Sequence, residues 1–160
     1  MVKIRALVFD DEAGIRAIIS YILENRGYEV LSFSDPVLCP VYLNSECPCP
    51  REYACADILI TDIHMPRVTG LEFIENQMRN GCKAIAQNKA VISGAWTNDQ
   101  LEQAKRLGCE VFQKPPGIDE LTSWLDKCEK RIDPNRKLAD LQELFKQDDK
   151  CLGTSQTDIN

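Results

Sequence analysis

An α/β fold is predicted by two features of this chain. Short apolar runs alternate with segments of helical period, and the apolar runs are continuous rather than alternating between polar and apolar residues. Strands of that kind are buried on both faces, as in a parallel sheet with helices packed on either side. The length of 160 residues suits one such core rather than two.

The elements run in order along the chain. VKIRALVF is the first strand and ends at Asp10; Ile15, Ile18, Ile19 and Ile22 then form one helical stripe, which Gly27 stops. YEVLSF is the second strand, and Asp35-Pro36 supplies an N-cap with proline in the first turn of a following helix. CPVYLNSECPCPREYAC has neither period and too many prolines for an element interior, so residues 39–56 are expected to be an insertion ahead of the third strand, ADILIT, which Asp62 closes. Thr69 to Glu72 and Thr97 to Gln100 have the spacing of capping boxes and open two further helices, with NKAVISG as the fourth strand between them and CEVFQK as the fifth after them. Ile118, Leu121, Leu125 and Cys128 mark the last core helix, which ends near Arg131. Asp133-Pro134 then caps an additional helix carrying Leu138, Leu141, Leu144 and Phe145. The expected division is a core domain over 1–132 and a C-terminal helix with a polar tail over 133–160.

Charge narrows the function classes. Nineteen Lys and Arg against 25 Asp and Glu give a net charge of -6, with no basic run to follow a phosphate backbone, so direct nucleic-acid binding is not expected. No apolar run reaches membrane-spanning length and the N-terminus has no small-residue cleavage site, so a soluble cytoplasmic protein without membrane insertion is expected. In that compartment the 8 cysteines are expected to be reduced rather than to form a disulfide framework.

Ligand sites of open parallel sheets lie beyond the carboxyl ends of the strands. The residues there are Asp10 and Asp11 after the first strand, Asp62 after the third, Ser93 after the fourth and Lys114 after the fifth. Carboxylates held close together need a compensating charge, and a hard divalent cation with oxygen ligands, Mg²⁺, is the natural one. Beside it a carboxylate can act as a nucleophile toward a phosphoryl group, while a hydroxyl and an ammonium stabilise the transferred oxygens. Lys114 and Ser93 suit those roles.

The acidic pair in LVFDDEAGIR, the acceptor and turn in LITDIHMPRVTGLEFI, the hydroxyl in VISGA and the Lys-Pro in VFQKPP, in that order from about Lys3 to Arg131, resemble the receiver domain of two-component response regulators. The resemblance implies a flavodoxin-like, doubly wound five-stranded sheet of order 2-1-3-4-5. It implies that Asp62 is the phosphoacceptor, that Asp11 and Asp62 bind Mg²⁺ with the backbone carbonyl of His64, and that Asp10 supports the metal. Ser93 and Lys114 would contact the phosphoryl oxygens, and Lys114-Pro115 would be a cis peptide. The phosphoryl donor implied is a sensor histidine kinase or a phosphotransfer protein. The chain departs from the family pattern where an aromatic residue is usual three positions before the lysine: Val111 stands there and Phe112 one place along. A haloacid-dehalogenase-like phosphatase would instead use Asp10 as nucleophile with a carboxylate two positions on, for which Glu12 is a loose substitute, and would leave Asp62 without a role.

The expected function is that of a stand-alone receiver, acting on a downstream protein through phosphorylation-dependent binding and catalysing only its own phosphorylation and dephosphorylation. His64, two positions after Asp62, is expected to tune the lifetime of the phosphoryl group. Three readings of the insertion stay open: a four-thiolate Zn²⁺ site of Cys39, Cys47, Cys49 and Cys55, redox pairing, or a packed loop with free thiols. The first two would make the chain a thiol-based metal or redox sensing module on a receiver scaffold. Cys82, Cys109 and Cys128 are read as small core hydrophobes.

Overall fold

The computed structural model describes residues 3–39, 48–140 and 142. Five parallel strands, β1 (Arg5–Phe9), β2 (Glu29–Phe33), β3 (Ile58–Asp62), β4 (Lys89–Ser93) and β5 (Glu110–Gln113), form one sheet of order β2-β1-β3-β4-β5. Four α-helices lie among the described residues: α1 (Ala13–Asn25), α2 (Gly70–Arg79), α3 (Asn98–Leu107) and α4 (Ile118–Arg131). None is long and apolar enough to cross a membrane.

Strand pleating sends alternate residues to opposite faces, and the core divides accordingly. Ala6, Val8, Ile58, Ile60, Ala90 and Ile92 form one apolar layer with Ile19 and Leu23 of α1 and Leu121, Trp124 and Leu125 of α4. Leu7, Phe9, Leu59 and Val91 form the other with Leu71, Phe73 and Ile74 of α2 and Ala104 of α3. The predicted stripe of α1 is rotated slightly: Ile19 and Leu23 are fully buried while Ile18 is 51% exposed. In α4, Trp124 enters the layer and Ile118, in the first turn, stays outside at 63% exposure. Phe112 packs edge-on against Trp124 with ring centroids 5.7 Å apart. Val111, one residue earlier, packs with the opposite layer, which also receives Trp96.

Both predicted capping boxes are formed, at Thr69 with Glu72 and at Thr97 with Gln100. The helix predicted after Asp35-Pro36 is a single 3₁₀ turn over Pro36–Leu38. Asp35 caps it by accepting from the Val37 amide, but Cys39 precedes a proline and is extended, which ends the turn. Residues 40–47 lie outside the described ones.

The C-terminal helix predicted from Asp133 is absent over 133–140. Asp133 accepts from the Asn135 amide and turns the chain, after which Leu138 bridges to Ala54 of the insertion in parallel register. The Ala139 amide donates to the Ala54 carbonyl at 2.9 Å, and Arg136 grips the buried carboxylate of Asp57 through Nε at 2.7 Å and Nη2 at 2.6 Å. Long-range pairing outweighs local helical period here. The positions of Leu141, Leu144 and Phe145 lie outside the described residues.

Candidate functional site: an acidic cluster beyond the carboxyl ends of the strands

The parallel register places Phe9 beside Thr61, so the chain leaves β1 at Asp10 next to the last residue of β3, Asp62. One carboxylate oxygen from each of Asp10, Asp11, Glu12 and Asp62 lies within 4.8 Å of the others. Asp10 and Asp62 are buried, whereas Asp11 and Glu12 are exposed at the mouth. Lys114, just past the end of β5, reaches across the sheet end. Its Nζ lies 3.2 Å from Asp10 Oδ2, 2.5 Å from Glu12 Oε1 and 3.0 Å from Asp62 Oδ2.

Burial raises the pKa of both Asp10 and Asp62, each of which also meets a neighbouring acid, and the hydrogen bonds from Lys114 and the backbone only partly offset this. For Lys114 burial acts against the ammonium, but hydrogen bonds to Glu12, Asp62 and Asp10 prevail and hold its pKa above the usual range. One ammonium thus serves three carboxylates, and a fourth stands beside them. Asp10 Oδ2 is buried and receives no directed hydrogen bond even with the ammonium nearby. An all-oxygen, carboxylate-rich donor set with a buried unsatisfied oxygen fits a hard divalent cation.

The backbone around Asp62 is held tightly. The Gly70 amide donates to the Ile63 carbonyl at 3.0 Å, bringing the start of α2 onto the end of β3, and a Cβ at Gly70 would lie 2.1 Å from the Asp62 carbonyl oxygen. Only glycine permits that approach. The His64 amide donates to Asp62 Oδ1 at 3.3 Å while the His64 residue itself is exposed. Ser93 is fully buried at the end of β4; its hydroxyl donates to the Ala95 carbonyl and accepts from the Ala95 amide. Lys114-Pro115 is cis, and the Lys114 amide donates to the Ser93 carbonyl at 2.9 Å.

Of the residues predicted from strand ends, Asp10, Asp11, Asp62 and Lys114 converge, and Ser93 stands on the strand next to Asp62 with its hydroxyl turned to its own turn. Three contributors were not legible as site residues. Glu12 makes the shortest contact to Lys114 across 102 positions of sequence; Arg16 donates to the Asp10 carbonyl at 2.6 Å; Gly70 fixes the Asp62 backbone. Only Glu12 left a signal, as the third acid of Asp-Asp-Glu.

The thiols lie elsewhere. Cys39 is buried in the layer with Leu7 and Phe9, whereas Cys49 and Cys55 line a cavity with Cys82 and Lys89 at the amino-terminal end of the sheet. Cys47 is outside the described residues. Among those described, the acidic cluster is the only group of three or more Cys, His, Asp or Glu close enough to hold an ion. Cys128 is a fully buried core residue as expected, whereas Cys82 is half-buried on the cavity.

The model of the response regulator receiver domain matches residues 6–126. The receiver protein of Pseudomonas putida superposes with a TM-score of 0.65 at 21% identity, covering 79% of this chain and 98% of that one. The N-terminal domain of a Wolinella succinogenes protein does so at 0.64 and 26%, covering 80% and 95%. Among curated relatives, sporulation initiation phosphotransferase F of Bacillus subtilis is 25% identical over 130 residues, 79% of this chain and 94% of its own length. A protein-glutamate methylesterase/protein-glutamine glutaminase of Xanthomonas oryzae pv. oryzae is 32% identical over 121 residues, 72% of this chain. The match spans only 30% of that relative's length. The chain belongs to the response regulator receiver domain family.

Proposed function

We propose that Asp62 accepts a phosphoryl group from a histidine kinase or phosphotransfer protein and that the phosphorylated chain signals by binding a downstream protein. The observation that carries this reading is the cluster of four carboxylates beyond the ends of β1, β3 and β5, three of them in contact with the one ammonium of Lys114. Family membership over 6–126 supports it.

Asp10, Asp11 and Asp62, with the backbone carbonyl of His64, would hold Mg²⁺, which would supply positive charge to the oxygens of the transferred group. The remaining work belongs to the chain. An Asp62 carboxylate oxygen attacks phosphorus in line with the donor's nitrogen, the P–N bond breaks, and the imidazole leaves. Lys114 Nζ exchanges a carboxylate oxygen for a phosphoryl oxygen, and the Ser93 hydroxyl rotates from the Ala95 carbonyl toward another. Gly70 and the His64 amide keep the acceptor aimed throughout. His64, exposed and two residues after Asp62, would shield the acyl phosphate from water and so set its lifetime.

The test is mass spectrometry of the intact chain after incubation with acetyl phosphate and Mg²⁺. One phosphoryl adduct is expected on the natural chain and none on Asp62→Asn or on the natural chain treated with excess EDTA. An unmodified natural chain, or an adduct that persists in Asp62→Asn, overturns the assignment.

A further inference from the structure

The other end of the sheet carries a second set of reactive groups. The segment 49–55 is pinned as a strap: the Cys49 amide donates to the Asn80 carbonyl at the end of α2 at 2.7 Å, and the Cys55 carbonyl accepts from Arg5 Nη1 at 2.9 Å. Between strap and sheet lies a cavity of about 80 Å³ lined by Cys49, Cys55, Cys82, Gln77 and Lys89. Lys89 opens β4 and is 1% exposed, with Nζ 2.8 Å from Gln77 Oε1 and 3.4 Å from Cys82 Sγ. Among the described residues no carboxylate pairs with it. A buried ammonium of this kind is a counter-charge for an anionic sulfur.

The three thiols are not equivalent. Burial pushes the Cys55 thiol up to about 11, with Cys49 and Cys82 adding to the effect against Arg51. It therefore keeps its proton at neutral pH and suits the second step of an oxidation rather than the first. Cys82 is half-buried, reachable from solvent, and has the ammonium at its sulfur.

We propose that Cys82 and the strap form a peroxide-responsive thiol switch, in which Cys82 is oxidised first and a strap thiol, Cys49 or Cys55, closes a disulfide onto it. In the first step the Cys82 sulfur attacks a peroxide oxygen, the O–O bond breaks, and water leaves with the thiol proton; sulfur is oxidised to a sulfenic acid and peroxide reduced. In the second, the strap sulfur attacks the Cys82 sulfur, the S–O bond breaks, and a second water carries away the strap thiol's proton. Two thiols and one peroxide give one disulfide and two waters. The closed loop runs from the strap to residue 82 and contains all of β3, Asp62 and α2, so the switch tethers the element that carries the acceptor without touching the acidic cluster.

The experiment treats the full reduced chain with hydrogen peroxide, blocks remaining thiols by alkylation, and maps peptides. A cross-link between Cys82 and Cys49 or Cys55 is expected, with loss of two hydrogens. Cys82→Ser removes the cross-link. Lys89→Met slows it by about tenfold while Lys89→Arg restores most of the rate, through the counter-charge at sulfur. Asp62→Asn forms the bridge at the natural rate, which separates this switch from the phosphoacceptor reading. Oxidation of Cys82 to sulfinic acid without a bridge, a bridge to any other cysteine, or equal rates in Lys89→Met and the natural chain overturns the proposal.

Discussion

Substitution of Gly70 by alanine sets two physical effects against each other. Gly70 is the first residue of α2, and alanine is favoured over glycine in a helix by about 1 kcal/mol. Against this, the new Cβ would lie 2.1 Å from the Asp62 carbonyl oxygen, 3.0 Å from the Asp62 carbonyl carbon and 3.0 Å from Thr61 Cγ2. Two of these atoms are backbone at the buried end of the central strand, so no side-chain rotation relieves the clash. Either α2 or the end of β3 must move by about an ångström, and overpacking of this kind costs about 3 kcal/mol in a rigid site. The net expectation is a loss of about 2 kcal/mol, seen as a fall of roughly 6 °C in Tm by calorimetry. Because the displaced atoms belong to Asp62, phosphorylation by acetyl phosphate should slow by more than the folded fraction accounts for. A Gly70→Ala chain as stable as the natural one, with unchanged phosphorylation, would refute the steric reasoning.

Other consequences concern the charges. Burial holds Asp10 and Asp62 above the ordinary carboxylate value of 3.8, so between that value and their folded pKa the native chain retains protons that the unfolded chain has released. Stability of the metal-free protein should therefore fall as pH rises through that window, and Asp62→Asn should remove part of the fall and stabilise the chain by about 1 kcal/mol at pH 7; urea titrations at several pH values measure both. Mg²⁺ at about a hundredfold over its Kd should restore about 2.7 kcal/mol to the natural chain, far more than to Asp62→Asn, as read by Tm. Lys114→Met leaves three acids without their ammonium and should cost about 3 kcal/mol at pH 7, with a much smaller loss in acid, as read by urea unfolding at both pH values. Arg136→Ala strands the buried Asp57 carboxylate, which among the described residues keeps the Arg5 amide at 3.0 Å, and should cost about 2 kcal/mol by urea unfolding.

How much of the fold the sequence disclosed depended on the range of the interaction responsible. The sheet, the four helices among the described residues and the capping boxes arise from periodicity and from contacts three or four residues apart, and these were readable. The 3₁₀ turn at Pro36 and the non-helical course of 133–140 were not. In both, a local cap signal was correct at the level of its hydrogen bond, Asp35 to Val37 and Asp133 to Asn135. The course of the chain after a cap is decided elsewhere: by the proline after Cys39 in one case, and by Ala54, Asp57 and Arg5 in the other. The clustering of Asp10, Asp11, Asp62 and Lys114 was legible because the parallel sheet brings strand ends together whatever the intervening length. Glu12, Arg16 and Gly70 were not, since each acts through a backbone atom or a partner that only the folded chain puts in reach. The thiols show the same limit: grouping cysteines by sequence joined Cys39 to Cys49 and Cys55, whereas the fold replaces it with Cys82, the residue after the α2 turn.

β3 links the two chemistries in a way that its burial dictates. All five of its residues are buried and it is the central strand, so it has no freedom to shift one end alone. Asp62 ends the strand in the acidic cluster, and Asp57 precedes it at the other end, held by Arg136 and the Arg5 amide beside the strap. A change in how the strap is fastened therefore reaches Asp62 only as a change in the stability of the unit containing β3 and α2, not as a displacement of its carboxylate. An oxidised, bridged chain should accordingly accept phosphoryl groups with unchanged chemistry at low temperature while gaining on the reduced chain as heat begins to open β3. That temperature dependence distinguishes a tether from an allosteric wire, which would alter the rate equally at every temperature.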